Sequence, residues 1–243
     1  MAEVGFSTGS LYNTIIPFEL RPSYYRKLGA NALELSFPDE DSILGFKLYN
    51  EFVKDVLEFD FISVHAPWMS IVYDSDGESE RVLSRLEDIC SVFLVNGVVF
   101  HPDTVDDFEL LENRDFRPLI ENLDIRKQLV TTPEYFDEIL GEFDIGAIID
   151  LQHCYEHDPS MKLALELYAA MAGKLSHIHV SGCSEGNYHS LLIEAEKNSE
   201  VISSALNYMN VPKIIEGVVL DEEAEDIAYS VRKELELVRS YEK

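Results

Sequence analysis

Short apolar runs alternate with amphipathic segments along the whole chain, at a spacing of about 30 residues, the length of one strand–helix–strand unit. Six of those runs carry a further signature. FISVHAP, VVFHPD, PLIENLD, IGAIIDLQH, LSHIHVSG and KIIEGVV each deliver His, Asp or Glu at or just beyond the C-terminal end of the run. In a parallel barrel the C-terminal strand ends converge on one face, so these side chains would meet around a single point.

The pattern predicts eight strands, over 4–7, 32–36, 61–65, 98–101, 119–121, 145–150, 176–180 and 213–216. Helices are predicted over 22–29, 43–59, 79–95, 107–113, 132–142, 158–173, 190–209 and 221–241. Thr132-Pro133 supplies a cap and a first-turn proline. Eight such units without a linker or a low-complexity segment predict one (β/α)8 TIM barrel over 1–243, with its site at the C-terminal face. A doubly wound sheet would instead place a glycine-rich phosphate turn after the first strand, and GFSTGSLY is not GxGxxG.

Composition narrows the partners. The formal net charge is −27, and no Lys/Arg-rich run interrupts it. That field repels polyanions and argues against nucleic acid, though a local basic patch could survive on an acidic body. No run approaches the roughly 20 apolar residues of a membrane helix. The segment MAEVGFSTGS has neither the basic nor the apolar region of a signal peptide, so a cytoplasmic protein is expected. The three cysteines, Cys90, Cys154 and Cys183, show no CxxC spacing and argue against a disulfide scaffold or a cysteine-rich zinc site.

The residues at the predicted strand exits are Glu34, His65, His101, Glu121, Asp150, His153, His179 and Glu216, with His189 in the loop after the seventh strand. Five of the seven histidines fall in this set. A mixture of carboxylates and imidazoles suits Zn, Mn, Fe or Co. One histidine at a strand end is ordinarily a hydrogen-bonded loop residue; the recurrence over six strands is what points to a metal centre.

VHAP with His65, HPD with His101, ENLD with Glu121, DLQH with Asp150 and His153, HVSG with His179 and IIEG with Glu216 occur in order. The series resembles the xylose isomerase-like barrel superfamily, which holds sugar isomerases and epimerases and also endonuclease IV. The resemblance spans the whole chain. It implies one divalent ion held by Glu121, Asp150, His179 and Glu216, as in the sugar epimerases. There the two glutamates also form the acid–base pair, so Glu121 and Glu216 are expected on opposite sides of a ketose, moving a proton through an enediolate. The endonuclease IV resemblance implies two or three ions, with His65, His101, His153 and His179 among the ligands. That enzyme's Asp-x-His after the seventh strand has Asn187-Tyr188-His189 as its counterpart here, with Asn in place of a good ligand. His65, His101, His153 and His189 therefore stand either as additional ligands or as groups that support the site and contact substrate. A barrel that kept the fold for a binding role, without turnover, is the third reading. Barrels of this kind often pair, so a homo-oligomer is compatible with the sequence.

Other residues have two readings each. Trp68 either stacks on a sugar ring at the barrel mouth or packs under the loop. Glu34 is grouped with the substrate contacts. Arg126, with Lys127, either holds a phosphate or stays solvated. Cys154 reads as a small buried thiol, with Cys183 near the same face. His177 alternates in phase with His179 and is expected one layer below it, as support. His157 reads as a loop or cap residue, and Asp221-Glu222-Glu223 as a helix start favoured by the helix dipole.

Overall fold

The computed structural model describes residues 2–75, 77–171, 173–184, 187–195, 198–220 and 222–241, the side chains of Glu78 and Asn187 excepted. Eight parallel strands close into a barrel: β1 (Val4–Ser7), β2 (Ala32–Ser36), β3 (Phe61–His65), β4 (Val98–Phe100), β5 (Pro118–Glu121), β6 (Gly146–Asp150), β7 (Leu175–Val180) and β8 (Lys213–Ile215). β8 pairs with β1 and seals the ring. The fold is the (β/α)8 barrel expected from the alternation.

The register explains the barrel interior. Aligned partners in neighbouring parallel strands face the same side, and side chains alternate sides along each strand. The pairs Ile214–Gly5, Gly5–Ala32, Glu34–Ser63, His65–Val99, Val99–Leu119, Glu121–Ile148, Asp150–His179 and His179–Ile214 therefore all point inward. The lower inward positions are apolar and form two compact clusters: Ala32 with Phe61 and Ile214, and Val99 with Leu119 and Ile148. One or two steps further along five of the strands the inward residue becomes polar: Glu34, Ser63, His65, Glu121, Asp150 and His179. An apolar floor thus carries a polar layer. The outward faces of the strands pack on the helices in one large core that includes Leu33, Leu35, Val64, Ile149 and Val180.

Helices α1 (Arg21–Lys27), α4 (Glu78–Phe93), α5 (Glu109–Glu112) and α6 (Pro133–Glu142) fall where helices are predicted, whereas three predicted helices differ from the observed ones. The segment 43–59 is broken into α2 (Glu40–Gly45) and α3 (Asn50–Val56), because Phe46 adopts extended backbone at φ −65° and ψ 132°. The helix expected from 158 starts earlier, as α7 (Leu151–His157), followed by α8 (Lys162–Ala170). Asp150 causes this: its side chain accepts the His153 backbone N–H at 2.8 Å and caps α7 directly at the strand end. The segment 190–209 starts on the last residue of a hairpin, Gly182–Ser184 against Asn187–Ser190, makes a 3-10 turn over Leu192–Glu194 and becomes α-helical only as α9 (Ser199–Leu206). The closing helix, α10, covers Ala224–Ser240, and Asp221 lies outside the described residues. No helix among the described residues is long and apolar enough to cross a membrane.

Candidate metal centre

The polar layer gathers residues from five strands, β2, β3, β5, β6 and β7, and from the exits of β4 and β8. His179, on β7, lies at its centre and is fully buried. Its Nε2 faces Glu34 Oε2 at 3.2 Å, and its Nδ1 faces Glu121 Oε1 at 3.1 Å and Glu216 Oε2 at 3.2 Å. Ligand atoms of Glu121, Asp150, His179 and Glu216 all lie within 4.8 Å of one another. Oxygen and nitrogen ligands of one ion at about 2.1 Å in tetrahedral geometry stand about 3.4 Å apart, so the His179 contacts have the spacing of a shared cation.

Two observations test whether these residues fit a metal. If Nε2–H of His179 is given to Glu34, then Nδ1 presents a lone pair to two carboxylate oxygens. Three acceptors face one another with only a cation or a proton to hold them. In addition, Asp150 Oδ2 is buried with no hydrogen-bond partner. Leaving a charged oxygen unsatisfied costs several kcal/mol, on the order of the penalty for any buried ion, and a coordinated cation removes it. The donor set of three carboxylates and an imidazole suits Zn, Mn, Fe or Co.

Glu121 joins this group to a second one. Its Oε2 lies 3.3 Å from His65 Nε2 and 3.4 Å from His101 Nε2, on the side away from His179. His65, His101 and Glu121 form a further set of metal-competent atoms, and Asp150, His153 and His189 form another. His153 donates Nδ1–H to the Asn122 carbonyl at 2.8 Å, which leaves Nε2 as its ligand or acceptor atom. His189 lies 3.1 Å from Ser181 Oγ through Nδ1, and its ring is 5.3 Å from that of His153. The Asn187 side chain, the counterpart of a third ligand there, lies outside the described residues.

Burial opposes ionisation of the Glu121 carboxyl, yet the His179 charge and hydrogen bonds from His101, His179 and His65 hold it well below the usual range. Glu216 is shifted down in the same way, by His179 against burial. Burial pushes Asp150 up, the one acid of the three that the cage disfavours as an anion. Burial lowers His179, but the Glu216, Glu34 and Glu121 charges outweigh it and raise the imidazole well above its ordinary value. The centre is therefore an anionic cage that attracts positive charge from whatever source.

These arrangements lie along a cavity of about 1250 Å³ lined by His65, Trp68, Glu121, His153, Glu216 and residues of the first two strand-exit loops. Three comparisons place the architecture. The barrel resembles D-psicose 3-epimerase from Clostridium cellulolyticum H10 with a TM-score of 0.71 at 11% identity, covering 98% of this chain and 99% of that one. Endonuclease IV from Thermus thermophilus gives 0.69 at 15%, with 98% and 99% covered. A xylose isomerase domain-containing protein from Salmonella typhimurium LT2 gives 0.67 at 13%, with 98% and 97% covered. The chain has the xylose isomerase-like barrel fold. No protein-family model matches the sequence. No curated protein matches it either.

Within this xylose isomerase-like barrel the expected residues separate by depth. Glu121, Asp150, His179, Glu216, His65, His101, His153 and His189 come together. Glu34, expected among the substrate contacts, is fully buried and, like Asp150 and His179, is not part of the cavity lining; it lies beneath His179, accepting from Ser63 Oγ at 2.9 Å. The reason is strand length. β2 runs on to Ser36, so Glu34 lies one inward step below the exit, whereas Glu121 and Asp150 are the last residues of their strands. His177 is in that lower layer too, as its alternation with His179 implied, with Nε2 3.4 Å from Glu34 Oε2.

Trp68 lines the cavity and also packs edge-on against His65, ring centroids 4.7 Å apart. Arg126 lines the cavity as well, but its Nε donates to Asp124 at 2.7 Å and its guanidinium lies 4.1 Å over the Tyr188 ring. Lys127 pairs with Asp103 at 2.8 Å. Cys154 is buried, and burial pushes its thiol well up; Cys183 is half-buried, and burial raises it as well. His157 bonds the Leu123 carbonyl at 3.1 Å.

Two positioning residues escaped sequence reasoning. Asn122 clamps the Asp150 backbone from both sides, accepting from its N–H at 2.7 Å and donating to its carbonyl at 3.0 Å. Ser63 orients Glu34. The Asn following the strand-end Glu in PLIEN is the only signal that pointed to either, since serine in a strand interior reads as ordinary.

Proposed function

We propose that this chain is a divalent-metal-dependent isomerase or epimerase of a small sugar-like carbonyl compound. The observation that carries the reading is the Glu121–Asp150–His179–Glu216 cage opening into a cavity of small-molecule size. Glu121, Asp150, His179 and Glu216 would hold the ion. When bound, a divalent ion supplies Lewis acidity that polarises a carbonyl and offsets the charge of an enediolate. The protein does the rest. Glu121 and Glu216 both line the cavity and approach His179 from separate strands, so one takes a proton from the carbon beside the carbonyl and the other returns one to it. Trp68 offers a ring face to the sugar, and the apolar floor beneath the layer excludes water from below.

The test is solvent-proton exchange. Metal-loaded protein in D2O is incubated with a ketose panel, and deuterium at the carbon beside the carbonyl is read by NMR. The expected result is incorporation that Glu216→Gln abolishes. Exchange unaffected by Glu216→Gln would overturn the assignment.

One observation favours a second reading, phosphodiester hydrolysis: the two oxygens of Glu121 face different sets of ligands, as a carboxylate bridging two ions would. Elemental analysis separates them. One ion per chain supports the isomerase; two or three, with cleavage of an abasic-site duplex, support the hydrolase.

A further inference from the structure

The chain carries 19 Lys and Arg against 46 Asp and Glu. Around the cavity, outside the metal cage, that balance inverts: four cations line it against three carboxylates. Two of the four are already matched, Arg126 by Asp124 and Lys127 by Asp103. Arg21 and Lys47 are not. Among the described residues no carboxylate forms an ion pair with either, although Glu19 and Asp41 line the same cavity.

The two unmatched cations share one wall. Arg21 lies over the Phe18 ring at 5.6 Å, Phe18 packs against Phe46 at 5.6 Å, and Lys47 follows Phe46 in the chain. Arg21 is half-buried, its Nη1 on the Thr8 carbonyl at 2.7 Å and its Nε on the Ile16 carbonyl at 3.2 Å, so the loop after β1 fixes its direction. Burial lowers its pKa, outweighing the raising influence of Tyr25 and Glu19. A guanidinium and an ammonium on one wall, neither held in an ion pair among the described residues, suit a tetrahedral dianion. The cavity also exceeds the roughly 300–1000 Å³ that drug-sized ligands occupy, so a ketose at the cage leaves room for a further group.

We propose that the substrate is a phosphorylated sugar, its phosphate received on the wall formed by Arg21 and Lys47. This rests on the isomerase reading for the body of the substrate and adds its charged end. The Lys47 side chain makes no hydrogen bond or ion pair among the described residues, so Lys47→Gln removes charge without removing a polar bond.

Metal-loaded protein is titrated by calorimetry with D-fructose 6-phosphate, D-fructose and inorganic phosphate, before and after Lys47→Gln. The expected result is a preference of about tenfold or more for the phosphorylated ketose over the free one, lost in Lys47→Gln, from the charge-assisted bonds removed. Weaker inorganic phosphate binding with the same Lys47 dependence would identify the phosphate itself as the recognised group. Equal affinity for the two ketoses, a preference that survives Lys47→Gln, or no saturable binding of either phosphate would overturn the proposal. A lack of deuterium exchange in the earlier test would defeat the isomerase reading while leaving a Lys47-dependent phosphate site in place.

Discussion

Replacing Glu34 by glutamine should weaken metal binding without touching the cage or the cavity. Glu34 is fully buried, and its Oε2 takes the whole load: Ser63 Oγ at 2.9 Å, His179 Nε2 at 3.2 Å and His177 Nε2 at 3.4 Å. Oε1 has no partner. The carboxylate fixes His179 with Nδ1 toward Glu121 and Glu216, and its charge makes that nitrogen a better donor to a cation. Removing such a carboxylate behind a ligating imidazole costs about 10–100-fold in metal affinity, or roughly 1.4–2.7 kcal/mol. Glutamine keeps an acceptor for Ser63 and His179, so the lower end, about tenfold, is expected; Glu34→Ala should reach the upper end.

Folding should suffer less. Two hydrogen bonds to a charged acceptor become neutral ones, a loss of about 1 kcal/mol each, against which the cheaper burial of an amide is set. The assay is competition for Zn²⁺ with a chromophoric chelator, paired with urea unfolding in excess chelator so that metal affinity and stability are read separately. Imidazole nitrogen shifts by NMR report the His179 tautomer in the same samples. A Glu34→Gln protein that holds Zn²⁺ as tightly as the wild type, with the tautomer unchanged, would refute the argument that this carboxylate orients the ligand.

Two further outcomes follow from other parts of the structure. His157→Ala should leave metal content unchanged, since His157 bonds only the Leu123 carbonyl at 3.1 Å and belongs to none of the metal-competent groups; metal loss on elemental analysis would show that the centre extends beyond the polar layer. Glu234, buried in α10 and accepting Leu192 N–H at 2.7 Å and Ile193 N–H at 3.0 Å, has its pKa pushed up to about 7 by burial. Folding therefore takes up a proton between the unfolded carboxyl range and pH 7. The stability this contributes is complete below the unfolded pKa and is lost as pH rises through 7, on the order of 3 kcal/mol in all. Urea unfolding of the wild type and Glu234→Gln across pH 4–8 should show wild-type stability falling relative to the variant; parallel curves would contradict the shift.

The strands were legible because the barrel imposes two demands at once, apolar residues on the outward side and a polar residue at the last inward step. GAIID, PLIE and FISVH satisfy both. The helices were less legible wherever periodic apolar residues continue through a break. Phe46 and Leu48 keep the helical pattern of 43–59 going, yet Phe46 is extended because its ring packs against Phe37 and Phe52 rather than along a helix axis. Depth was the other gap. Sequence places Glu34 and Glu121 alike in strand-exit positions, and only the extra turn of the pleat to Ser36 separates a supporting carboxylate from one that faces the cavity. The partners of Arg21 and Arg126 depend on loop conformation, which no periodicity encodes.

The two glutamates that the resemblance casts as a symmetric pair are not symmetric here. Glu121 is nearly inaccessible, and each of its oxygens already faces imidazole: Oε1 toward His179, Oε2 toward His65 and His101. A carboxylate so surrounded is a weak base, and its partners hold it in place whether the neighbouring charge is a proton or a second cation. The Glu216 side chain is 17% exposed and makes one close approach, to His179 Nδ1 at 3.2 Å, which leaves its other oxygen toward the cavity. Of the two, Glu216 is the freer to move a proton at a substrate carbon, while Glu121, its proposed partner in the transfer, also holds charge in the cage. That asymmetry is why the exchange experiment turns on Glu216→Gln. Substituting Glu121 removes a ligand atom and three imidazole partners together, so lost turnover in that variant would follow from an emptied cage as readily as from a missing base.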